Sequence, residues 1–243
     1  MNTLIIHMPS STERRPNAEK LLQDLPNAQL VDAVDGRDPG QVADLRVFPG
    51  NLHKPTYPFT MRGGEVGCFA SHRKCWQMIV DNNWNYAIIA EDDVAVSLPD
   101  LARSLSIITA HMSPDMFIRL PFKNRERKGT VIAIDDDTRL LLPQKIGLQT
   151  GCQVVGREAA KRLLAKSEQI DRPIDTWLQM HWMTGQPIHT LLPNGLGEIA
   201  GQIGGSTIQQ KTRTSEKLMR EIKRAWYRAQ VRMRPQRPRV DLR

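Results

Sequence analysis

Three consecutive acids, Glu91-Asp92-Asp93, interrupt the apolar run "YAIIAEDDVAV" from Tyr86 to Val96. The segment before them is short, apolar and suited to a buried strand. Adjacent carboxylates repel one another, and burying any of them unpaired is costly. The strand must therefore end where a cation meets the acids, whether a lysine, an arginine or a metal ion.

The flanking pattern predicts where that end lies. "NTLIIHM" reads as a first buried strand, and "SSTERRPNAEKLLQDL" as a helix capped by Ser10 or Ser11. "AQLVDAV" is a second strand closed by the turn cluster "DGRDPG", and residues 37–60 carry too many prolines for regular structure. "RGGEVGCFASHRKCWQMIVDNN" predicts a helix with Phe69, His72, Trp76, Ile79 and Val80 on one stripe. After the acids come a helix from about Leu98 to His111, the strand "DMFIRL", two strands joined at Asp135-Asp136-Asp137, and the strand-like "GLQTGCQVVG". "REAAKRLLAKS" and "RPIDTWLQMHWM" read as helices, and "PIHTLLP" as a last strand before a glycine-rich stretch. Strands alternating with helices predict an α/β fold with a largely parallel sheet.

The two acid runs differ in context. Asp135-Asp136-Asp137 falls at a hairpin tip, where aspartate is a turn former and needs no further role. Glu91-Asp92-Asp93 falls at the carboxyl end of a strand that follows a long helix, where open α/β sheets place ligands. Hard oxygen ligands there suit Mg²⁺ or Mn²⁺, and an ion pair with arginine is the equal alternative.

Three cysteines without CxxC spacing argue against a disulfide framework or a zinc site, and make a reducing cytoplasm the expected setting. The net charge of +8 is not spread along the chain. Residues 211–243 hold 12 of the 34 Lys/Arg and 3 of the 26 Asp/Glu, so this segment is +9 and residues 1–210 are −1. A body over 1–210 followed by a basic appendage over 211–243 is the expected organisation. Leu218, Ile222, Trp226, Ala229 and Met233 repeat at helical spacing within it, which predicts a basic amphipathic helix and an anionic membrane surface as partner. No motif supports a nucleic-acid partner.

"GEVGCFASHRKCW" (Gly64 to Trp76), followed 14 residues after Trp76 by "AEDDV", resembles the signature of glycosyltransferase family 25. "LIIHMPSSTERR", "VDAVDGR", "REAAKRLL", "RPIDTWL" and "GGSTI" follow in the order of that family, so the resemblance covers roughly residues 3–208. Two segments depart from it: His7-Met8-Pro9 stands where the family usually has an Asn-Leu pair, and Cys152 to Gly156 replaces a strand that usually holds a tyrosine.

The resemblance implies a GT-A type (Rossmann-like) nucleotide-sugar-binding fold, a UDP-sugar donor, most often UDP-galactose, and Mn²⁺ or Mg²⁺. It makes Asp93 the metal contact with Asp92 beside it. Arg14, Gly64, Glu65, Ser71, His72, Glu91 and Asp92 become donor-site candidates, and Asp175 of "RPIDTWL" the general base of an inverting transfer. Arginine suits diphosphate through bidentate hydrogen bonds, and glycines opening a helix let an anion approach its free N–H groups. Trp177 is a candidate for stacking on a sugar, or a core residue.

The expected activity is hexose transfer to a lipopolysaccharide, lipooligosaccharide or similar lipid-linked glycan at the cytoplasmic face of a membrane. The alternatives are a catalytically degenerate member acting as a glycan-binding scaffold, and a nucleotidyltransferase. The latter lacks its glycine-rich nucleotide loop near the first strand.

Overall fold

The computed structural model describes residues 1–123, 125, 126, 128–201 and 214–238, with the backbone alone over 214–218. Its elements are β1 (Asn2–His7), α1 (Arg15–Asp24), β2 (Ala28–Asp32), β3 (Arg46–Val47), α2 (Gly63–Asp81), β4 (Tyr86–Glu91), β5 (Val94–Val96), α3 (Leu98–His111), β6 (Phe117–Arg119), β7 (Gly129–Asp135), β8 (Thr138–Pro143), β9 (Cys152–Gly156), α4 (Arg157–Lys166), β10 (Gln169–Ile170), α5 (Ile174–Leu178), α6 (His181–Thr184), β11 (Ile188–Leu192), β12 (Leu196–Glu198) and α7 (Thr214–Arg232). The fold is α/β, as the alternation predicts. Eight strands form one sheet in the order β2-β1-β4-β9-β6-β11-β8-β7.

Strands in this sheet alternate their faces. In β4, Ala87 and Ile89 join one apolar cluster, with Phe69, Trp76 and Ile79 of α2. Ile88 and Ala90 join the other, with Leu21 of α1 and Ile108 of α3. Both faces are covered, so β4 reads as a continuous apolar run. Burying each large aliphatic side chain contributes roughly 1.5–3 kcal/mol.

The sheet is parallel where helices cross over: β1 with β2, β1 with β4, and β6 with β11. It is antiparallel at β4–β9, β6–β9, β11–β8 and β7–β8, so the sheet is mixed. No helix lies between β6 and β9, and without a crossover helix a strand returns antiparallel. The Asp135–Asp137 tip is the β7–β8 turn, with Asp136 at φ 53° and Arg103 within 3.2 Å of Asp137.

Two predicted helices differ in extent. Helix α1 begins at Arg15 with Pro16 in its first turn, and residues 8–14 form turns instead. Pro is pre-set for the first helical position, so it moves the start past Ser10 and Ser11. "RPIDTWLQMHWM" breaks into α5 and α6, because Met180 is drawn fully into the core and Gln179 Nε2 donates to the Ile146 carbonyl at 2.6 Å.

Helix α7 and the segment that follows it pack against the body at two points. The Tyr227 hydroxyl accepts from Arg172 Nη1 at 3.0 Å, and its ring meets Tyr57 edge-on. Gln236 is buried, and its side chain bonds both the N–H and the carbonyl of Ile188 at 2.9 Å. Arg172 is itself fully buried, forked onto Asp171 at 2.7 and 2.9 Å and donating to the carbonyls of His53 and Pro55. One residue thus ties the proline-rich loop, α5 and α7 together. Replacing Arg172 by Met strands the Asp171 charge. Urea unfolding is expected to show a loss of about 3–5 kcal/mol; a loss under about 1 kcal/mol would contradict this role.

Candidate active site

The first helix after β1 lies on one face of the sheet, and α2, which leads to β4, lies on the other. The chain therefore switches direction between β1 and β4, and a crevice opens beyond their carboxyl ends. Ile6 of β1 pairs in register with Glu91, so His7 and the acid turn 92–93 sit at that crevice.

The cation that the three acids require is an arginine for Asp92. Arg14 Nη1 lies 2.8 Å from Asp92 Oδ1 and 3.3 Å from Asp93 Oδ2. His7 Nδ1 takes the other Asp92 oxygen at 2.8 Å. Asn17, in the first turn of α1, donates to the carbonyls of Asp92 and Val94 at 2.8 and 2.9 Å and fixes the turn. Burial works against the Arg14 charge, but the hydrogen bond to Asp92 and the acids around it raise its pKa overall. Arg15 points away and pairs with Glu19 at 2.7 Å.

Glu91 has a different set. His72 Nε2 lies 3.4 Å from Glu91 Oε1, and Thr150 Oγ1 donates to it at 3.1 Å. Gln153 Nε2 contacts His72 Nδ1 at 2.7 Å, which leaves the ring proton on Nε2, facing Glu91. Burial opposes ionisation of Glu91, yet the bonds from His72 and Thr150 win and hold its carboxyl below the ordinary value.

Asp93 is the exception. Burial, followed by the Glu91 charge, pushes its pKa up to about 6 against a partial offset from Arg14. Its surroundings hold more negative than positive charge, which is the condition a divalent cation relieves. With both Asp92 oxygens engaged, Asp93 is the acid of the triplet that fits such an ion, and Asp92 serves to orient the turn. Cys68 Sγ, His72 and Glu91 also bring one ligand atom each within 4.8 Å of one another.

Two cavities share Glu91 and Cys68 as a common wall. The smaller, about 530 Å³, is lined by Arg14, Gly64, Ser71, His72, Asp92 and the loop 33–37, among others. The larger, about 790 Å³, holds Asp93, Asp175, Glu65 and Thr150. Six of the donor-site candidates thus converge on the smaller cavity, and Glu65 turns to the larger. Glu65 also closes a capping box, accepting from Arg62 N at 2.7 Å. Ser71 Oγ accepts from Val34 N at 2.8 Å and so anchors the loop 33–37 to α2. Gly36 and Gly67 make that approach possible, since a Cβ on Gly67 would fall 2.4 Å from the Val34 carbonyl oxygen.

Asp175 Oδ1 accepts from Thr176 N at 2.6 Å and Thr176 Oγ1 at 3.1 Å. Burial nevertheless raises its pKa, leaving a carboxyl prepared to hold a proton. Trp177 is a core residue, fully buried against Phe69 and Trp76, and lines neither of these two cavities. The "GGSTI" segment, residues 204–208, lies outside the described residues.

His7, Thr150, Gln153 and Cys68 were not evident as site residues. His7 and Gln153 lie in the two segments that depart from the family pattern, and both hold residues of the acid network. The departure itself was the available signal.

The profile described as "Glycosyltransferase family 25 (LPS biosynthesis protein)" matches residues 1–178. A glycosyltransferase 25 family member of Drosophila melanogaster is 25% identical over 183 residues, 72% of this chain and 30% of that protein. Human procollagen galactosyltransferase 2 is 29% identical over 97 residues, 37% of this chain and 15% of that protein. The mouse inactive glycosyltransferase 25 family member 3 is 38% identical over 72 residues, 28% of this chain and 12% of that protein. The chain thus spans less than a third of the length of each of these relatives. Among solved structures, a Drosophila β-galactosyltransferase 7 mutant in complex with manganese, UDP-Gal and xylobiose superposes with a TM-score of 0.40 at 10% identity, covering 90% of this chain and 78% of that one. Nothing rests on a likeness of that size. The family match covers nearly three quarters of the chain, including the helix α2 motif and the acid turn: the protein belongs to glycosyltransferase family 25.

Proposed function

We propose that the chain transfers a hexose, with galactose the first candidate, from a UDP-sugar to a glycan acceptor with inversion at the anomeric carbon. The observation that carries this is the shared wall: one cavity lined by Arg14 and Arg37, the other holding Asp93 and Asp175, with Glu91 and Cys68 between them. In this reading the smaller cavity takes the nucleoside diphosphate, and both volumes are ordinary for ligand sites.

Asp93 would hold Mn²⁺ or Mg²⁺, which supplies charge stabilisation to the departing diphosphate. Arg14 adds a fixed positive charge on the same side, and Glu91 is kept ionised by His72 and Thr150. Asp175 accepts the proton of the acceptor hydroxyl as its oxygen bonds to the anomeric carbon and the bond to the diphosphate oxygen breaks. UDP leaves, and the proton remains on Asp175 until release.

The test is slow hydrolysis of a panel of UDP-sugars by the purified protein with Mn²⁺. Turnover of one sugar above the others supports the reading and names the donor. No hydrolysis of any would place this chain with the inactive type of relative.

The acceptor is proposed to be lipid-linked, with the protein at the cytoplasmic face of a membrane. No described helix is long and apolar enough to cross a bilayer. Helix α7 leaves Met219, Ile222 and Trp226 exposed at 57%, 56% and 68%, beside Lys223 and Arg232. An apolar face among basic residues suits an anionic lipid surface. Replacing Ile222 and Trp226 by Gln is expected to weaken binding to phosphatidylserine vesicles about tenfold, since losing roughly 1.4 kcal/mol of burial gives that factor. Unchanged co-sedimentation would exclude this surface.

A further inference from the structure

Helix α7 lies beyond the part of the chain that the family match covers, yet it forms one side of the larger cavity. Its residues Arg220, Arg224, Tyr227 and Arg228 follow the i, i+4, i+7, i+8 spacing of one helical face, and all four line that cavity. Tyr227 is the anchor, held by Arg172 and Tyr57. The three arginines therefore line the same cavity as Asp93 and Asp175.

Three guanidinium groups on one helical stripe repel one another. Arg224 is paired with Glu221, while Arg220 and Arg228 have no carboxylate partner among the described residues. Arg220 and Arg224 are both stacked over Phe59, at 5.2 and 5.5 Å from the ring centroid. Stacking on an aromatic face fixes a guanidinium in place while leaving its N–H edge to bind. The rest of the lining holds Arg62 beside the acids Glu65, Glu91, Asp93, Asp175 and Glu198. A neutral sugar would not use the planar forks of Arg220 and Arg228.

We propose that Arg220, Arg224 and Arg228 bind an anionic group, a phosphate or carboxylate, carried by the acceptor glycan. This rests on the larger cavity being the acceptor side. The planar forks recognise such a group bidentately and set which acceptor hydroxyl faces Asp175. The donor diphosphate carries the same chemistry, so the test separates the two.

Galactose 6-phosphate and galactose would be titrated into the full chain, with Mn²⁺ and saturating UDP, by ligand-observed NMR. The phosphorylated sugar is expected to bind at least tenfold more tightly. The triple variant Arg220→Gln/Arg224→Gln/Arg228→Gln is expected to lose that preference, with UDP affinity held within twofold. Arg228→Gln alone, at an exposed position, loses part of it and guards against a folding defect. Equal binding of the two sugars by the native chain would overturn the proposal. So would a fall in UDP affinity in the triple variant, which would assign the wall to the donor. If UDP fails to bind the native chain, the donor reading fails, while the phosphate preference is still read from the titration without UDP.

Discussion

Asp93→Asn lowers sugar transfer by about 10³-fold and leaves the folded protein more stable at pH 7. The first effect follows from removing the carboxylate that would hold the cation opposite the leaving diphosphate, a loss of several kcal/mol of charge stabilisation. The second follows from the raised pKa. Asp93 titrates at about 6 in the folded chain, against 3.8 as its ordinary value. An acid whose folded value is raised holds its proton better when folded, so its ionisation works against folding as pH rises from about 4 to about 6. Above 6 the whole cost is present, up to about 2–3 kcal/mol, because a tenfold change in proton affinity is worth ~1.36 kcal/mol. Thermal unfolding without metal should therefore show the variant above the native chain at pH 7 and the gap closing as pH falls toward 4. A destabilised variant at pH 7, or one with native transfer activity, contradicts the placement of Asp93.

Asp175→Asn separates binding from turnover. The amide keeps the side chain's shape but cannot take a proton, so kcat is expected to fall by roughly 10²–10⁴. UDP binding should not change, because Asp175 is held by Thr176 within the larger cavity, whereas Asp93 meets Arg14 of the smaller one. The raised pKa of Asp175 also moves the acid limb of the native pH–rate profile upward, with activity lost as pH falls. Loss of UDP binding along with turnover would make Asp175 a structural residue.

Much of this site was legible because its signals are local. The apolar run into Glu91-Asp92-Asp93 located the end of β4, and the stripe of Phe69, His72, Trp76 and Ile79 located the buried face of α2. Arg14 was found as the arginine following the first strand. What escaped was set by long-range packing. Gln153 reaches His72 across 81 positions, and His7 reaches Asp92 across 85. No periodicity encodes such pairs. Glu65 was legible as a charge in the first turn, but its capping role and its turn toward the larger cavity depend on where the loop before α2 lies. The mixed strand order and the break between α5 and α6 likewise come from tertiary packing over local propensity. The charge of the C-terminal segment was plain in composition, whereas its use as a cavity wall depends on Tyr227 and Gln236 meeting partners far away in sequence.

The most direct test is a calorimetric titration of UDP into the full chain, once with Mn²⁺ and once with EDTA. Binding that requires Mn²⁺, and that Asp93→Asn abolishes, is what a cation held at the acid turn between the two cavities predicts. Equal UDP binding in EDTA, or none under either condition, would contradict it.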